Sequence, residues 1–372
     1  MQNKKIRLAI VGGGFGAGFP WAEHPNCTVA AVTDLYAERR QKLRDAYRCD
    51  SVYNSYEDLL SKRNDLDAVA IFSAPPDHAK HVRMAFDHGL HVVSAVPACQ
   101  TLEEAAELRD LKERTGLKYM MAESSYYYGG CIYARNLYRK GDLGTIFYVE
   151  AEYYHDYLEE SIGNRKSILY NPDGTPGWRQ GLPPMYYPTH VTAFLVGVTG
   201  ERITKVSCLG WGDVKVMRRL ERNPKGTPYS NEVASMQGSR GAMLRCNIFR
   251  QIAADGVLAR WFGERGTLYM ANEGINQDVW HARGGKPEAL RLPDYWNTAK
   301  VPEKMKHPSG HSGSAVLICA EFINALLEDR EPEVNLYEAL AMTVPGIVAH
   351  NSALKNGEQM TVPAFERSRR TA

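Results

Sequence analysis

IRLAIVGGGFGA, residues 6–17, is the stretch on which the fold turns. Ile6–Val11 is a compact apolar run that stops at glycines, the pattern of a strand buried on both faces of a parallel sheet. The turn that follows holds G-x-G-x-x-A as Gly12, Gly14 and Ala17. Alone, that pattern is weak. Here it follows a strand, opens a short helix, and has Asp34 twenty residues after Gly14 at the end of the next apolar run. Together these make a dinucleotide fingerprint. Gly12 permits the tight turn, Gly14 lets the backbone approach a pyrophosphate, and the helix N-terminus holds the negative charge. Phe15 and Gly16 complete the loop and are counted with the cofactor contacts. Asp34 accepts both ribose hydroxyls and repels a 2′-phosphate, so NAD is expected over NADP, a preference that Arg39 and Arg40 soften. A glycine-rich turn with no ligand is the rival reading; the joint presence of strand, helix and acid disfavours it.

Outward from this loop, strands are expected at 29–33, 68–72, 91–94 and 118–122, and helices at 37–47, 77–88 and 101–116. The last helix opens T-L-E-E, a capping box. Strand and helix thus alternate about five times in ~120 residues, which demands a doubly wound parallel sheet. Beyond residue 123 the pattern changes. Longer alternating strands are expected at 147–154, 205–209, 232–237, 242–249 and 257–262, with turn signals such as Asp255-Gly256. Such strands suit an antiparallel sheet with one covered face. Two helices, roughly 312–328 and 335–352, close the chain, and 159–185 reads as a long loop at an active-site edge. The fold class is therefore α/β: an N-terminal Rossmann domain (1–122), and a C-terminal α/β domain with a large, mostly antiparallel open sheet (123–372).

Composition narrows the function classes. The chain has 372 residues, 44% hydrophobic and 24% charged, with formal net charge +2. No long charged run points to nucleic acid or an anionic membrane surface. The seven cysteines form no C-x-x-C and are odd in number, which fits reduced thiols in a cytoplasm. Lys4-Lys5 leads straight into the first strand with no signal-peptide apolar region, and no apolar run is long enough to span a bilayer. Tyrosines, 21 in all, cluster at 126–128, 153–157 and 186–187.

The layout resembles the Gfo/Idh/MocA oxidoreductases over nearly the whole chain. The resemblance includes Ser73-Ala-Pro-Pro-Asp-His78 and His91-Val-Val-Ser-Ala-Val-Pro97. It implies cofactor contacts at Ser73, Pro75, His78, Ala95, Pro97 and Glu123. That family usually has Glu-Lys-Pro where this chain has Ala95-Val96-Pro97, and an Asp four residues before a catalytic His where this chain has Tyr186 before His190. Two members of the usual acid/base set are replaced. The motifs Met120-Met-Ala-Glu-Ser-Ser-Tyr126, Ala151-Glu-Tyr-Tyr-His-Asp156, Trp178-Arg179 and Tyr187-Pro-Thr-His190 resemble one branch, the NAD-dependent glycoside hydrolases typified by α-N-acetylgalactosaminidases, which also lack the lysine. Carried over by motif, Glu123, His155, Arg179, Tyr187 and His190 line a sugar site. Tyr187 and His190 are its catalytic pair, and Tyr186 and Tyr269 are further contacts. Ala95 departs even from that branch, which keeps a Glu there. The resemblance also implies a homodimer or homotetramer formed through the open sheet.

Chemistry supports the same residues. Removing hydride from a sugar C3 carbon needs a base at its hydroxyl; the ketone acidifies the C2 proton, and the C1 substituent leaves by elimination. Water then adds at C1 and hydride returns to C3. Tyrosine and histidine can move those protons when tuned, the tyrosine needing a cation such as Arg179 to favour phenolate. The expected activity is redox-neutral glycoside cleavage. Its alternatives are a net NAD-dependent sugar dehydrogenase using the same pair, and a non-catalytic NAD-binding sensor, which Val96 keeps open. His78-x-x-His81 and His307-x-x-x-His311 lack a completing ligand set, so no metal is expected. His311, beside glycines, is expected to reach sugar or cofactor. Cys99 reads as a buried thiol and the 126–128 tyrosines as packing.

Overall fold

The computed structural model describes residues 5–157, 169–212, 226–271 and 277–368. The chain forms two compact units, one of residues 1–128, 294–340 and 365–372, the other of 129–293 and 341–364.

The first unit is built on a six-stranded sheet in the order β3-β2-β1-β4-β5-β6. Its strands are β1 (Ile6–Val11), β2 (Cys27–Thr33), β3 (Val52–Tyr53), β4 (Ala68–Ile71), β5 (His91–Ser94) and β6 (Tyr119–Met121), all parallel. Leu8, Ile10, Val69, Ile71, Val92 and Val93 are fully buried, as strands covered on both faces require. The helices are α1 (Gly13–Gly16), α2 (Ala37–Tyr47), α3 (Tyr56–Lys62), α4 (His78–Asp87) and α5 (Leu102–Thr115). The capping box is present: Thr101 Oγ1 accepts from Glu104 N at 3.1 Å, and Glu104 Oε2 accepts from Thr101 N at 3.2 Å. Two-residue β3 is too short for its alternation to show in the sequence.

The expected boundary at residue 122 marks only the first exit from this unit. Residues 294–340 come back to it. Trp21, wholly buried, packs edge-to-face on Phe322 (6.1 Å between ring centroids) of a helix over Ser314–Leu327. Met121 N donates to Val334 O at 2.9 Å, and the buried ammonium of Lys112 reaches Glu331 at 2.6 Å. The apolar surface of the Rossmann layer exceeds what its own five helices cover, and this late helix covers the rest.

The second unit holds a nine-stranded sheet, β14-β13-β12-β11-β7-β10-β9-β8-β15. Its central strands are β7 (Ile146–His155), β8 (Ile203–Trp211), β9 (Asn231–Gly238), β10 (Met243–Phe249) and β11 (Asp255–Gly263); the outer ones are β12 (Gly266–Tyr269), β13 (Asp278–Ala282), β14 (Glu288–Leu290) and β15 (Met360–Thr361). β7 and β10 are parallel, and the other neighbours antiparallel. One face is covered. Val149 and Ala151 of β7, Leu244, Cys246 and Ile248 of β10, and Trp261 of β11 are buried there. An apolar helix, Thr189–Thr199, lies on that face: Phe194 packs edge-to-face on Trp261 at 5.6 Å, and Trp261 Nε1 donates to Phe194 O at 2.7 Å. The opposite face carries Glu150, which pairs with Arg245 and with Arg260 (2.8 Å), beside exposed Leu209, Trp211, Val233 and Met243.

If residues 294–340 complete the Rossmann core, Phe322→Ala removes a buried aromatic and costs about 3–5 kcal/mol. Urea denaturation measures this; a loss of a few tenths would make the segment a surface appendage.

Candidate functional site

In the first unit the site is made by the ends of β1, β2, β4 and β5. Gly12 has φ +100°, and a Cβ there would stand 2.3 Å from the carbonyl oxygen of Phe72, so the turn admits only glycine. Gly13 and Gly16 are excluded from larger residues by packing: their Cβ atoms would meet Arg39 O at 2.3 Å and the Phe72 ring at 2.8 Å. Gly14 differs. A Cβ there meets nothing nearer than the Arg39 guanidinium, at 3.5 Å, so the loop is open at that point for a close-lying ligand. The helix behind it has only four residues, which corrects the expectation of a helix dipole as the main anion holder. Within the turn the amides of Gly12, Gly13 and Gly16 are already spent, on Thr33 O, Asp34 Oδ2 and Gly12 O.

Asp34 is nearly buried. Its Oδ2 accepts from Gly13 N at 2.7 Å and its Oδ1 from Tyr36 N at 2.9 Å. Each carboxylate oxygen keeps a second lone pair for a ribose hydroxyl, so loop and acid together fit a dinucleotide. Arg40 is committed to the carbonyls of Asp34 and Leu35, while Arg39 lies over the Tyr36 ring. Phe15 is half exposed and meets the His311 ring edge-on at 5.4 Å, which puts His311 beside the glycine loop.

His78 is corrected. It is wholly buried, its Nδ1 2.7 Å from Pro97 O and its Nε2 3.0 Å from Ser73 O. Both ring nitrogens are used to tie the loops after β4 and β5, so no ring edge is left for a cofactor. Burial also holds its pKa down. Ser73 Oγ is engaged by His81, 2.8 Å away. Pro75 is buried, while Ala95, which donates its N–H to Ile71 O, is half-buried. Val96 is 5% exposed, an apolar plug in the place where the family has its lysine. Glu123 is wholly buried and accepts from Ser125 N at 2.8 Å. Burial raises the pKa of Cys99, whose thiol is inert. His307 pairs with Glu23 at 2.6 Å, apart from the use made of His311, and no group of three or more metal-ligating side chains occurs among the described residues.

In the second unit an aromatic cluster forms at the end of the covered sheet face. Tyr153 and His155, alternate residues of β7, share that face, and their Oη and Nδ1 are 2.9 Å apart. Tyr187 and His190 are 5.3 Å apart between ring centroids, and the Tyr153 ring lies 4.7 Å from His190 and 6.1 Å from Tyr187. Helical spacing is not what joins Tyr187 to His190, because the helix begins at Thr189 with Pro188 as its cap. Tyr187 instead closes a 3-10 turn over Pro184–Tyr186 with φ −129° and ψ 56°. Trp178 stacks on Tyr187 at 5.9 Å, and the Arg179 guanidinium lies 4.1 Å over the Trp178 ring. Much of the long loop, residues 158–168, lies outside the described residues.

Arg250 is the residue that sequence reading missed. Its guanidinium sits 4.7 Å from the Tyr153 ring, 4.8 Å from Tyr157 and 5.3 Å from Tyr187. It is 4% exposed, and its three nitrogens have no aligned acceptor among the described residues, although the Tyr153 phenol lies close enough to act on it. A signal was there: Leu244, Cys246, Ile248 and Arg250 continue one alternation, so the arginine occupies the next covered position. Asn231 sets it, its Oδ1 accepting from the amides of Arg250 (2.9 Å) and Gln251 (3.0 Å).

The cluster's electrostatics overturn one expectation. Burial pushes the Tyr187 phenol well above the ordinary tyrosine range and outweighs the opposing pull of Arg179 and Arg250. Tyr153 is pushed up to about 12 for the same reason. Burial thus favours the neutral phenol of Tyr187 in the chain's own surroundings. One further expectation is corrected by position. Tyr269 pairs with Arg260 in register and packs on Phe262, so its side chain is on the open face, away from the cluster. The Tyr186 ring meets that of His350 edge-on, 5.3 Å away.

Replacing Asp34 by Ala removes a charged acceptor, worth about 1.5–3 kcal/mol. NAD affinity read by calorimetry is expected to fall at least tenfold. An unchanged affinity would restrict Asp34 to holding the loop.

Residues 6–123 match the family described as "Oxidoreductase family, NAD-binding Rossmann fold", and residues 228–372 match "Glycosyl hydrolase 109, C-terminal domain". A glycosyl hydrolase family 109 protein of Solibacter usitatus is 25% identical over 85% of this chain and 75% of its own length. One from Streptomyces coelicolor is 24% identical over 97% and 83%. Among solved structures, an oxidoreductase domain protein from Kribbella flavida superposes with TM-score 0.78 at 18% identity, covering 97% of this chain and all of its own. An inositol dehydrogenase homolog from Azotobacter vinelandii, solved with NADH and myo-inositol, gives 0.75 at 19% identity over 96% and 98%. The chain thus carries an NAD-binding domain of the Gfo/Idh/MocA oxidoreductase kind and a C-terminal domain of the glycosyl hydrolase 109 kind, and is an NAD-dependent enzyme.

Proposed function

We propose that this sugar-acting enzyme cleaves a glycoside without net redox change, by transient oxidation at C3, elimination, addition of water and re-reduction. The observation that carries this is the Tyr187–His190–Tyr153 cluster, a proton-handling group, in a chain whose lysine position is filled by buried Val96. When bound, NAD supplies the reversible hydride exchange at C3. Gly12, Gly14, Asp34, Phe15 and His311 hold and orient it. Tyr187 keeps its proton on Oη and donates to a sugar oxygen. His190 is the group that takes and returns a proton. Arg179 and Trp178 clamp and stack on the sugar, and His155 orients Tyr153 through Nδ1. Glu123, carried over by its motif, is a further contact for cofactor and sugar.

We also propose that the chain is a cytoplasmic homodimer or homotetramer, binding a sugar rather than nucleic acid or membrane. All seven cysteines are buried thiols, as suits a reducing compartment. Among the described residues no helix is long and apolar enough to cross a membrane. The open sheet face, with exposed Leu209, Trp211, Val233 and Met243, is the surface that pairs with a second copy.

Nitrophenyl glycosides with trace NAD test the activity. Nitrophenol release exceeding the NAD supplied, with no NADH build-up, is expected. Build-up without release would make the enzyme a net dehydrogenase; NAD binding with neither signal, on glycosides or free sugars, would favour a sensor. Tyr187→Phe should lower kcat by about 10²–10⁴-fold, the usual worth of an acid or base, and full turnover in that variant would remove Tyr187 from the mechanism. For the assembly, Leu209→Glu is expected to shift the protein to monomer in light scattering. An unchanged mass would place the interface elsewhere.

A further inference from the structure

Arg250 has a place in the fold that proton transfer does not explain. Its guanidinium is more than nine-tenths buried, and Nε, Nη1 and Nη2 all lack an aligned acceptor among the described residues. The rings of Tyr153, Tyr157 and Tyr187 surround it at 4.7–5.3 Å. Aromatic faces offset part of the charge, and the Tyr153 phenol is close enough to act on it, but none of these groups is an anion. Asn231 Oδ1 accepts from the amides of Arg250 and Gln251, which fixes the backbone that carries the cation. A second guanidinium, Arg179, lies on Trp178, itself stacked on Tyr187, and its buried Nε has no aligned acceptor among the described residues. Two cations thus flank the phenol of the candidate catalytic pair.

A neutral sugar oxygen would satisfy one N–H and leave the charge uncompensated. A carboxylate satisfies two in parallel and neutralises it. We infer that Arg250 is the receptor for a carboxylate on the sugar ring, and that the substrate is a glycoside of a uronic acid. This rests on the glycoside reading above and gives it a substrate class. Tyr187 and His190 lie against the same rings, so the anchored carboxylate fixes the sugar beside the proton-moving pair. Arg179 is the second cation facing the same group.

Binding tests this apart from turnover. Calorimetry on NAD-loaded protein compares D-glucuronate and D-galacturonate with D-glucose and D-galactose. The uronates are expected to bind about tenfold or more tightly than their neutral parents. Arg250→Gln should erase that preference. Arg250→Lys, which keeps the charge without the fork, should retain part of it and serves should the Gln variant not fold. Equal or tighter binding of the neutral sugars, no binding of any uronate, or a preference that survives in Arg250→Gln would overturn the inference. Turnover separates it from the parent reading. Cleavage of nitrophenyl N-acetylgalactosaminides but not of nitrophenyl uronides would leave redox-neutral cleavage standing and remove the uronate. Tight uronate binding with no glycoside cleaved would keep the carboxylate receptor and remove the cleavage.

Discussion

A carboxylate sealed from water must have both oxygens engaged, and in the second unit Glu232 is such a group. It is wholly buried on β9. Oε1 meets His350 Nδ1 at 2.6 Å, and Oε2 accepts from Met185 N at 2.7 Å. The first bond ties the sheet to the last helix, over Leu336–Leu354; the second ties it to the turn that presents Tyr187. Removing one partner of a buried pair costs about 3–5 kcal/mol, because the other charge is stranded. The position of the Tyr187 ring therefore depends on a carboxylate that never touches it. Tyr186 belongs to this support, its ring against His350.

The same burial decides the chemistry. Taking phenols out of water favours their neutral form, and two nearby arginines do not reverse it. On the reading proposed above, the cycle begins with phenolic protons in place, with Tyr187 as donor and the imidazole of His190 as acceptor. Replacing the family lysine fits that division. Val96 is packed, so the loop after β5 offers no proton carrier at that position.

Most of the Rossmann half was legible because its signals are local. Residues 6–11 and 91–94 were placed to the residue, and Thr101 and Gly116 cap their helix as spacing predicts. What escaped was set by tertiary partners. His78 sits in a motif that suggests a ligand contact, but its two nitrogens answer carbonyls nineteen and five residues away in sequence. Tyr269 failed on register: Leu268 faces the core, so its neighbour must face the other way. The return of 294–340 to the first unit has no local signature, since an apolar helix reads the same whichever core it covers. Arg250 was legible in its alternation, but nothing in the sequence says that such an arginine is left without an acceptor.

That lack bears on how the cluster reached its composition. An isolated buried cation is costly, and tyrosine faces return only about 2 kcal/mol or somewhat more where desolvated. Were Arg250 there for stability, an apolar residue of similar volume would serve as well or better, as it commonly does for buried ions. The second unit nevertheless spends Asn231 on fixing the arginine's backbone and three tyrosines on enclosing its head. On the inference above, a fold that keeps a costly group in place keeps it for something that arrives from outside, and a guanidinium with no aligned acceptor among the described residues suits an anion.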